Sequence, residues 1–196
     1  MRKSEITRKT AETDIELSLN LDGTGKSSAN TGVGFLDHML ELFAHHGRFD
    51  LSITCKGDTH VDGHHSVEDI GICLGSALAQ AIGDARGINR FSDVTLPMDE
   101  ALVMCAVDIS GRSHLSMDVT LPDRTIGAME AELFEEFLLS FTRKAGITLH
   151  IHMLSGKNAH HIIEACFKSL ARALREAVKI DNEYKDEIPS TKGTLV

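Results

Sequence analysis

The apolar positions of this chain switch between period two and a helical period, and the whole sequence of switches happens twice. Asp14-Ile15-Glu16-Leu17-Ser18-Leu19-Asn20-Leu21 alternates cleanly and stops at Asp22-Gly23, which predicts a half-buried strand closed by a turn. Phe35-Leu36-Asp37-His38-Met39-Leu40-Glu41-Leu42-Phe43 then spaces its apolar residues along one face of an amphipathic helix. Phe49-Asp50-Leu51-Ser52-Ile53 returns to alternation. After the polar turn Lys56-Gly57-Asp58, a second helix is expected to run through Ile70, Leu74, Leu78 and Ile82.

The second half follows the same order. Residues 101–109 predict a strand ending at Ser110-Gly111-Arg112, and residues 114–119 predict the next. Residues 133–141 share the apolar pattern of residues 35–43, apart from the seventh and eighth places. Residues 147–151 alternate, and beyond Ser155-Gly156-Lys157-Asn158 a last helix passes through Phe167, Leu170, Leu174 and Val178. The expected order is β-β-α-β-α, twice, with a weakly marked second strand in the first half and a junction near residues 87–97. Pro97-Met98-Asp99-Glu100-Ala101-Leu102 reads on pattern alone as a turn entering a strand. Such grouping predicts an α+β architecture with helices covering one face of each sheet.

The last helix of each half opens on the same motif. His64-His65-Ser66-Val67-Glu68 recurs 96 residues on as His160-His161-Ile162-Ile163-Glu164. On a helix, residues three or four apart share a face, so one imidazole and the Glu can converge on one metal ion. The adjacent imidazole points about 100° away and is free to reach a second ion. His38 and Glu136 take equivalent places in the other helix of each half, which adds them to the candidate ligands. Eight groups result: His38, His64, His65, Glu68, Glu136, His160, His161 and Glu164. Imidazole and carboxylate without thiolate suit Mn, Fe, Co, Ni or Zn.

Composition narrows the function classes. The 196 residues carry a formal charge of −9, with one Tyr and no Trp, which argues against a nucleic-acid or acidic-membrane surface. No apolar run approaches the roughly 20 residues that span a bilayer, and no apolar segment follows the basic Met1-Arg2-Lys3-Ser4. A cytoplasmic protein is expected. Cys55, Cys73, Cys105 and Cys166 are scattered and read as buried, reduced thiols. Of 11 histidines, all but His114 fall in three regions, residues 38–46, 60–65 and 150–161, as a site would require. Basic groups sit at element ends: Arg90, Arg112, and Lys192 within Ser190-Thr191-Lys192-Gly193. Arg forks with a hydroxyl and an ammonium are suited to phosphate, although each alone reads as a solvated surface charge.

The motifs together resemble the imidazoleglycerol-phosphate dehydratase family, lyases of histidine biosynthesis. The matching stretches run from Arg8-Lys9-Thr10-Ala11-Glu12-Thr13 to Ser190-Thr191-Lys192-Gly193. Between them lie Gly34-Phe35-Leu36-Asp37-His38-Met39-Leu40, Asp62-Gly63-His64-His65-Ser66-Val67-Glu68-Asp69, Gly87-Ile88-Asn89-Arg90-Phe91, Pro97-Met98-Asp99-Glu100-Ala101-Leu102, Asp108-Ile109-Ser110-Gly111-Arg112 and Gly156-Lys157-Asn158-Ala159-His160-His161. The resemblance implies two tandem repeats of a four-stranded mixed sheet with two helices on one face, packed into one body. The first half would be residues 1–90 and the second residues 91–196.

It also implies two Mn2+ ions per site and a 24-subunit shell with sites between subunits. By the same resemblance Glu12 looks like an acid/base residue, and His38, His46 and Lys168 lie near the substrate. Arg90, Arg112, Ser190 and Lys192 look like phosphate ligands. Some members carry His where this chain has Glu136, and Ser where it has Thr191. The implied reaction removes water from imidazole glycerol phosphate to give imidazole acetol phosphate, through an imidazolate and a diazafulvene-like intermediate. Two other readings use the same residues: a di-metal phosphoester hydrolase, and a metal-binding shell without catalysis.

Overall fold

A computed structural model describes residues 2–195. The first half runs β1 (Lys3–Lys9), β2 (Thr13–Asn20), β3 (Ser27–Asn30), α1 (Gly34–Gly47), β4 (Asp50–Gly57) and α2 (His64–Ile82). The second half runs β5 (Phe91–Met98), β6 (Ala101–Asp108), β7 (His114–Asp118), a small β8–β9 hairpin (Thr125–Ile126, Met129–Glu130), α3 (Leu133–Ala145), β10 (Thr148–Ser155) and α4 (Ala159–Ala177). Each half forms a four-stranded sheet, ordered β1-β2-β4-β3 and β5-β6-β10-β7. In both, three strands pair antiparallel and the fourth, β3 or β7, joins in parallel. The α+β expectation with mixed four-stranded sheets is met, one strand per half beyond the periodicity reading.

The extra strands of the two four-stranded sheets are β1 and β5, both at sheet edges, and the β8–β9 hairpin is a further unexpected element. β1 is Lys-Ser-Glu-Ile-Thr-Arg-Lys, with Ser4 its one buried residue, so it has no apolar face to announce it. β5 occupies the stretch read from sequence as a junction; its Val94, Leu96 and Met98 pack half-buried on the core. Pro97 is tolerated there because an edge strand leaves one row of N–H groups unpaired.

The inner faces of the central strands carry the core. Ile15, Leu17 and Leu19 of β2 and Leu51, Ile53 and Cys55 of β4 are buried on one sheet. Val103, Cys105 and Val107 of β6 and Leu149 and Ile151 of β10 are their counterparts on the other. The helices lie between the sheets and pair across the halves, α1 against α4 and α2 against α3. The α2–α3 approach is close. A Cβ on Gly71 would stand 2.7 Å from the Phe137 carbonyl oxygen, and one on Gly75 would stand 2.9 Å from Lys144 Cβ. No helix among the described residues is long and apolar enough to cross a membrane. All four cysteines are free and buried, as expected.

Candidate metal and anion site

Both HHxxE motifs stand at helix N-termini, and the preceding loop residues hold them there. Asp62 Oδ1 accepts the His64 N–H at 2.8 Å, and Asn158 Oδ1 accepts those of His160 and His161 at 2.9 and 3.3 Å. Each motif therefore begins in a fixed first turn.

From α4, His160 Nε2 lies 3.2 Å from Glu164 Oε2, the i,i+4 pairing that the motif predicts. The third member comes from the opposite half of the chain: His38 Nε2 on α1 lies 3.9 Å from the same oxygen. Potential ligand atoms of His38, His160 and Glu164 all lie within 4.8 Å of one another. Phe35 closes one side, its ring centroid 5.1 Å from that of His160. Glu164 is buried, which alone would raise its pKa. The Lys168 hydrogen bond and charge, with His160 and His38, outweigh that and hold it below the usual carboxylate range. Burial first, then the Lys168 charge, lowers the His46 pKa, so His46, Lys168 and Glu164 share one electrostatic neighbourhood.

The second imidazole of each motif turns away to carboxylates. His65 Nδ1 lies 3.0 and 3.2 Å from the Asp58 oxygens, and its Nε2 lies 3.6 Å from Glu12 Oε1. His161 Nδ1 lies 2.7 Å from Glu100 Oε2, and its Nε2 lies 3.8 Å from Asp99 Oδ2. Hydrogen bonds donated to the Asp58 and Glu100 carboxylates raise the pKa of His65 and His161 respectively. Glu136 projects from α3, the helix packed on α2, so it shares a helix pair with His64 and Glu68. Among the described residues, neither Glu68 nor Glu136 forms an ion pair.

The basic residues gather separately. Arg90, Arg112, Ser190, Thr191 and Lys192 line a cavity of about 170 Å³. The Arg90 guanidinium forks onto Asp108 at 2.8 and 3.3 Å and donates to the Pro189 carbonyl at 2.8 Å, which fixes its plane. The Arg112 N–H is accepted by Ser110 Oγ at 3.2 Å. A cavity of about 550 Å³ lies elsewhere, against Met117, Val119, Leu121 and Phe134, with no imidazole in its lining.

Sequence reasoning passed over Asp58, Glu100 and Asp69. Asp58 and Glu100 sit in turns, where an acidic residue is ordinary, and only the fold shows which side chains they face. The pairing of α1 with α4 is likewise invisible in either half alone.

Fold and site together define a two-sheet α+β protein whose paired helices present imidazole and carboxylate groups suited to a metal. Residues 31–174 match the family model described as imidazoleglycerol-phosphate dehydratase. A protein of that name from Roseobacter denitrificans is 57% identical over 195 residues, covering 100% of both chains. One from Synechococcus is 54% identical, covering 100% of this chain and 96% of the relative. The imidazoleglycerol-phosphate dehydratase of Staphylococcus aureus superposes with a TM-score of 0.83 at 39% identity, covering 91% of this chain and 99% of that one. The Pyrococcus furiosus structure gives 0.82 at 40% identity, covering 96% and 99%. The chain belongs to the imidazoleglycerol-phosphate dehydratase family, hydro-lyases of histidine biosynthesis.

Proposed function

We propose that the chain dehydrates D-erythro-imidazole glycerol phosphate to imidazole acetol phosphate, with two Mn2+ ions bound by the groups that the HHxxE motifs supply. The observation carrying this reading is the convergence of His38, His160 and Glu164 from two halves of the chain. Two imidazoles and a carboxylate, with no thiolate among them, form a donor set that Mn shares with Fe, Co, Ni and Zn, and the family resemblance favours Mn. Glu136, His64 and Glu68 occupy the matching positions on the other helix pair and would serve the second ion. His65 and His161 face away from the His38 group, which favours sites completed between copies of the chain, in a shell proposed to hold 24 subunits. A metal held by these groups would supply Lewis acidity to the substrate's ring nitrogen and hydroxyl.

The chain's own residues do the rest. Arg90, Arg112, Ser190 and Lys192 hold the phosphate, with the plane of the Arg90 guanidinium fixed by Asp108 and Pro189 before substrate arrives. His46 and Lys168 would lie near the substrate, in the electrostatic neighbourhood of Glu164. Glu12, half exposed and 3.6 Å from His65, moves the proton that the carbon loses. Glu12→Gln should keep metal and substrate binding while turnover falls by about 10²–10⁴-fold; full turnover would refute the role. A cytoplasmic location belongs to the same reading, supported by four unbridged thiols.

A further inference from the structure

Glu12 lies in the β1–β2 turn, and Glu100 lies at the same place in the β5–β6 turn, each one residue before the second strand begins. The two carboxylates are treated differently. Glu100 Oε1 accepts the Asn158 and Lys157 N–H groups at 2.8 and 3.2 Å, while its Oε2 meets His161. The whole group is consumed in holding the start of α4. Glu12 makes no such bond; its carboxylate is left available and its backbone is held instead.

The Asp58 N–H donates to the Glu12 carbonyl at 3.1 Å, and the hold on the Glu12 N–H traces to one further residue. Asp69, on α2 directly after Glu68, is 6% exposed, and its Oδ2 accepts Thr13 Oγ1 at 2.5 Å. Its Oδ1 accepts Arg8 Nε at 2.9 Å and Nη2 at 2.8 Å. Because the single Thr13 hydroxyl proton goes to Asp69, the 3.2 Å contact between Thr13 Oγ1 and Thr10 Oγ1 must have Thr10 as donor. Thr10 Oγ1 in turn accepts the N–H groups of Glu12 and Thr13 at 3.1 and 3.0 Å. A continuous relay thus runs from Asp69 through Thr13 and Thr10 to the backbone of Glu12.

The second half shows that the fold does not require it. At the places of Arg8, Thr13 and Asp69 stand Leu96, Ala101 and Ala165, packed as part of the core. The same sheet and helix meet there without a buried charge, and a buried charge is costly unless something uses it.

We propose that Asp69 is a positioning residue for Glu12, fixing the turn through Thr13 and Thr10 so that the carboxylate stays in place beside His65 while remaining free to exchange a proton. The inference rests on the reading of Glu12 as the acid/base group. It is tested by kcat and KM of the metal-loaded protein for Asp69→Asn, Thr13→Ser, and the triple change Arg8→Leu/Thr13→Ala/Asp69→Ala that copies the second half. Each is made with Glu12 present and in the Glu12→Gln background.

Asp69→Asn and the triple variant should lower kcat about 10–100-fold, with KM and bound metal unchanged. Thr13→Ser, which keeps the hydroxyl, should stay within about twofold of the parent. In the Glu12→Gln background the same changes should cost nothing further. An equal loss in both backgrounds, or an undiminished kcat, overturns the relay. Full turnover of Glu12→Gln alone would instead remove the reading of Glu12, and the relay with it. If Asp69→Asn does not fold, the triple variant decides alone, since its apolar set already packs in the other half.

Discussion

His38 and Glu164 belong to different halves of the chain, yet Nε2 of one lies 3.9 Å from Oε2 of the other, with His160 beside both. The internal repeat therefore does not give each half its own metal group. The helices exchange partners, and each HHxxE motif faces a helix from the opposite half.

If these three groups hold one ion, removing either half's contribution should have the same effect. His38→Ala and Glu164→Gln should each reduce Mn2+ bound per chain by the same amount. The double variant should lose no more than the worse single, because ligands of one ion act as a unit. Metal analysis after dialysis reads this directly. Additive losses would place the two residues in separate sites.

The Asp58 carboxylate fixes the ring of His65 through Nδ1 and leaves Nε2 as the atom that would meet a metal if His65 is a ligand. Outer partners of this kind typically govern about 10–100-fold in metal affinity or activity. Asp58→Asn should weaken Mn2+ binding by that factor, measured by titration calorimetry. Unchanged affinity would mean that His65 is not a ligand.

Arg112→Ala should raise KM by about 10–100-fold, the worth of one charge-assisted hydrogen bond to phosphate, with kcat less affected. Arg90→Lys should do more, because Lys cannot reproduce the fork onto Asp108 and the bond to Pro189. A lowered melting temperature for Arg90→Lys but not Arg112→Ala would separate the two roles.

Gly75 and Gly71 let α2 lie against α3, and thereby set where His64 and Glu68 stand relative to Glu136. The neighbours at Gly75 are the Phe141 carbonyl oxygen and Lys144 Cβ. Backbone cannot move aside as a side-chain tip can, so Gly75→Ala should cost about 1–3 kcal/mol in chemical denaturation. A neutral result would mean that the helices can separate without penalty.

Acid should expose a different anchor. The N–H groups of Thr24 and Lys26 hold the Asp50 carboxyl down to about 2. A carboxyl with a depressed folded-state pKa contributes stability above its unfolded pKa, about 3.9, and loses it as pH falls towards 2. The stability difference between the parent and Asp50→Asn should be full above about pH 5 and fade between about pH 4 and pH 2. A difference that does not change across that window would contradict the assignment.

Much of the architecture was legible because buried strands and amphipathic helices leave a period in the chain. β2, β4, β6 and β10 each hide one face, and all four long helices carry an apolar stripe. β1 escaped because it is a polar edge strand, and its pairing with β2 is made by backbone groups that every residue carries. The i,i+4 pairing of His160 with Glu164 follows from helix geometry alone. What lies beyond one helix does not. The approach of His38, the capture of His161 by Glu100 and the contact of Asp69 with Thr13 are tertiary facts, set by how helices and turns pack.

The most direct test of the account is product analysis with imidazole glycerol phosphate and Mn2+, with and without a chelator. The account predicts imidazole acetol phosphate with the phosphate retained on carbon, activity lost on chelation, and activity restored by added Mn2+. Release of inorganic phosphate, or turnover that survives complete removal of metal, would contradict it.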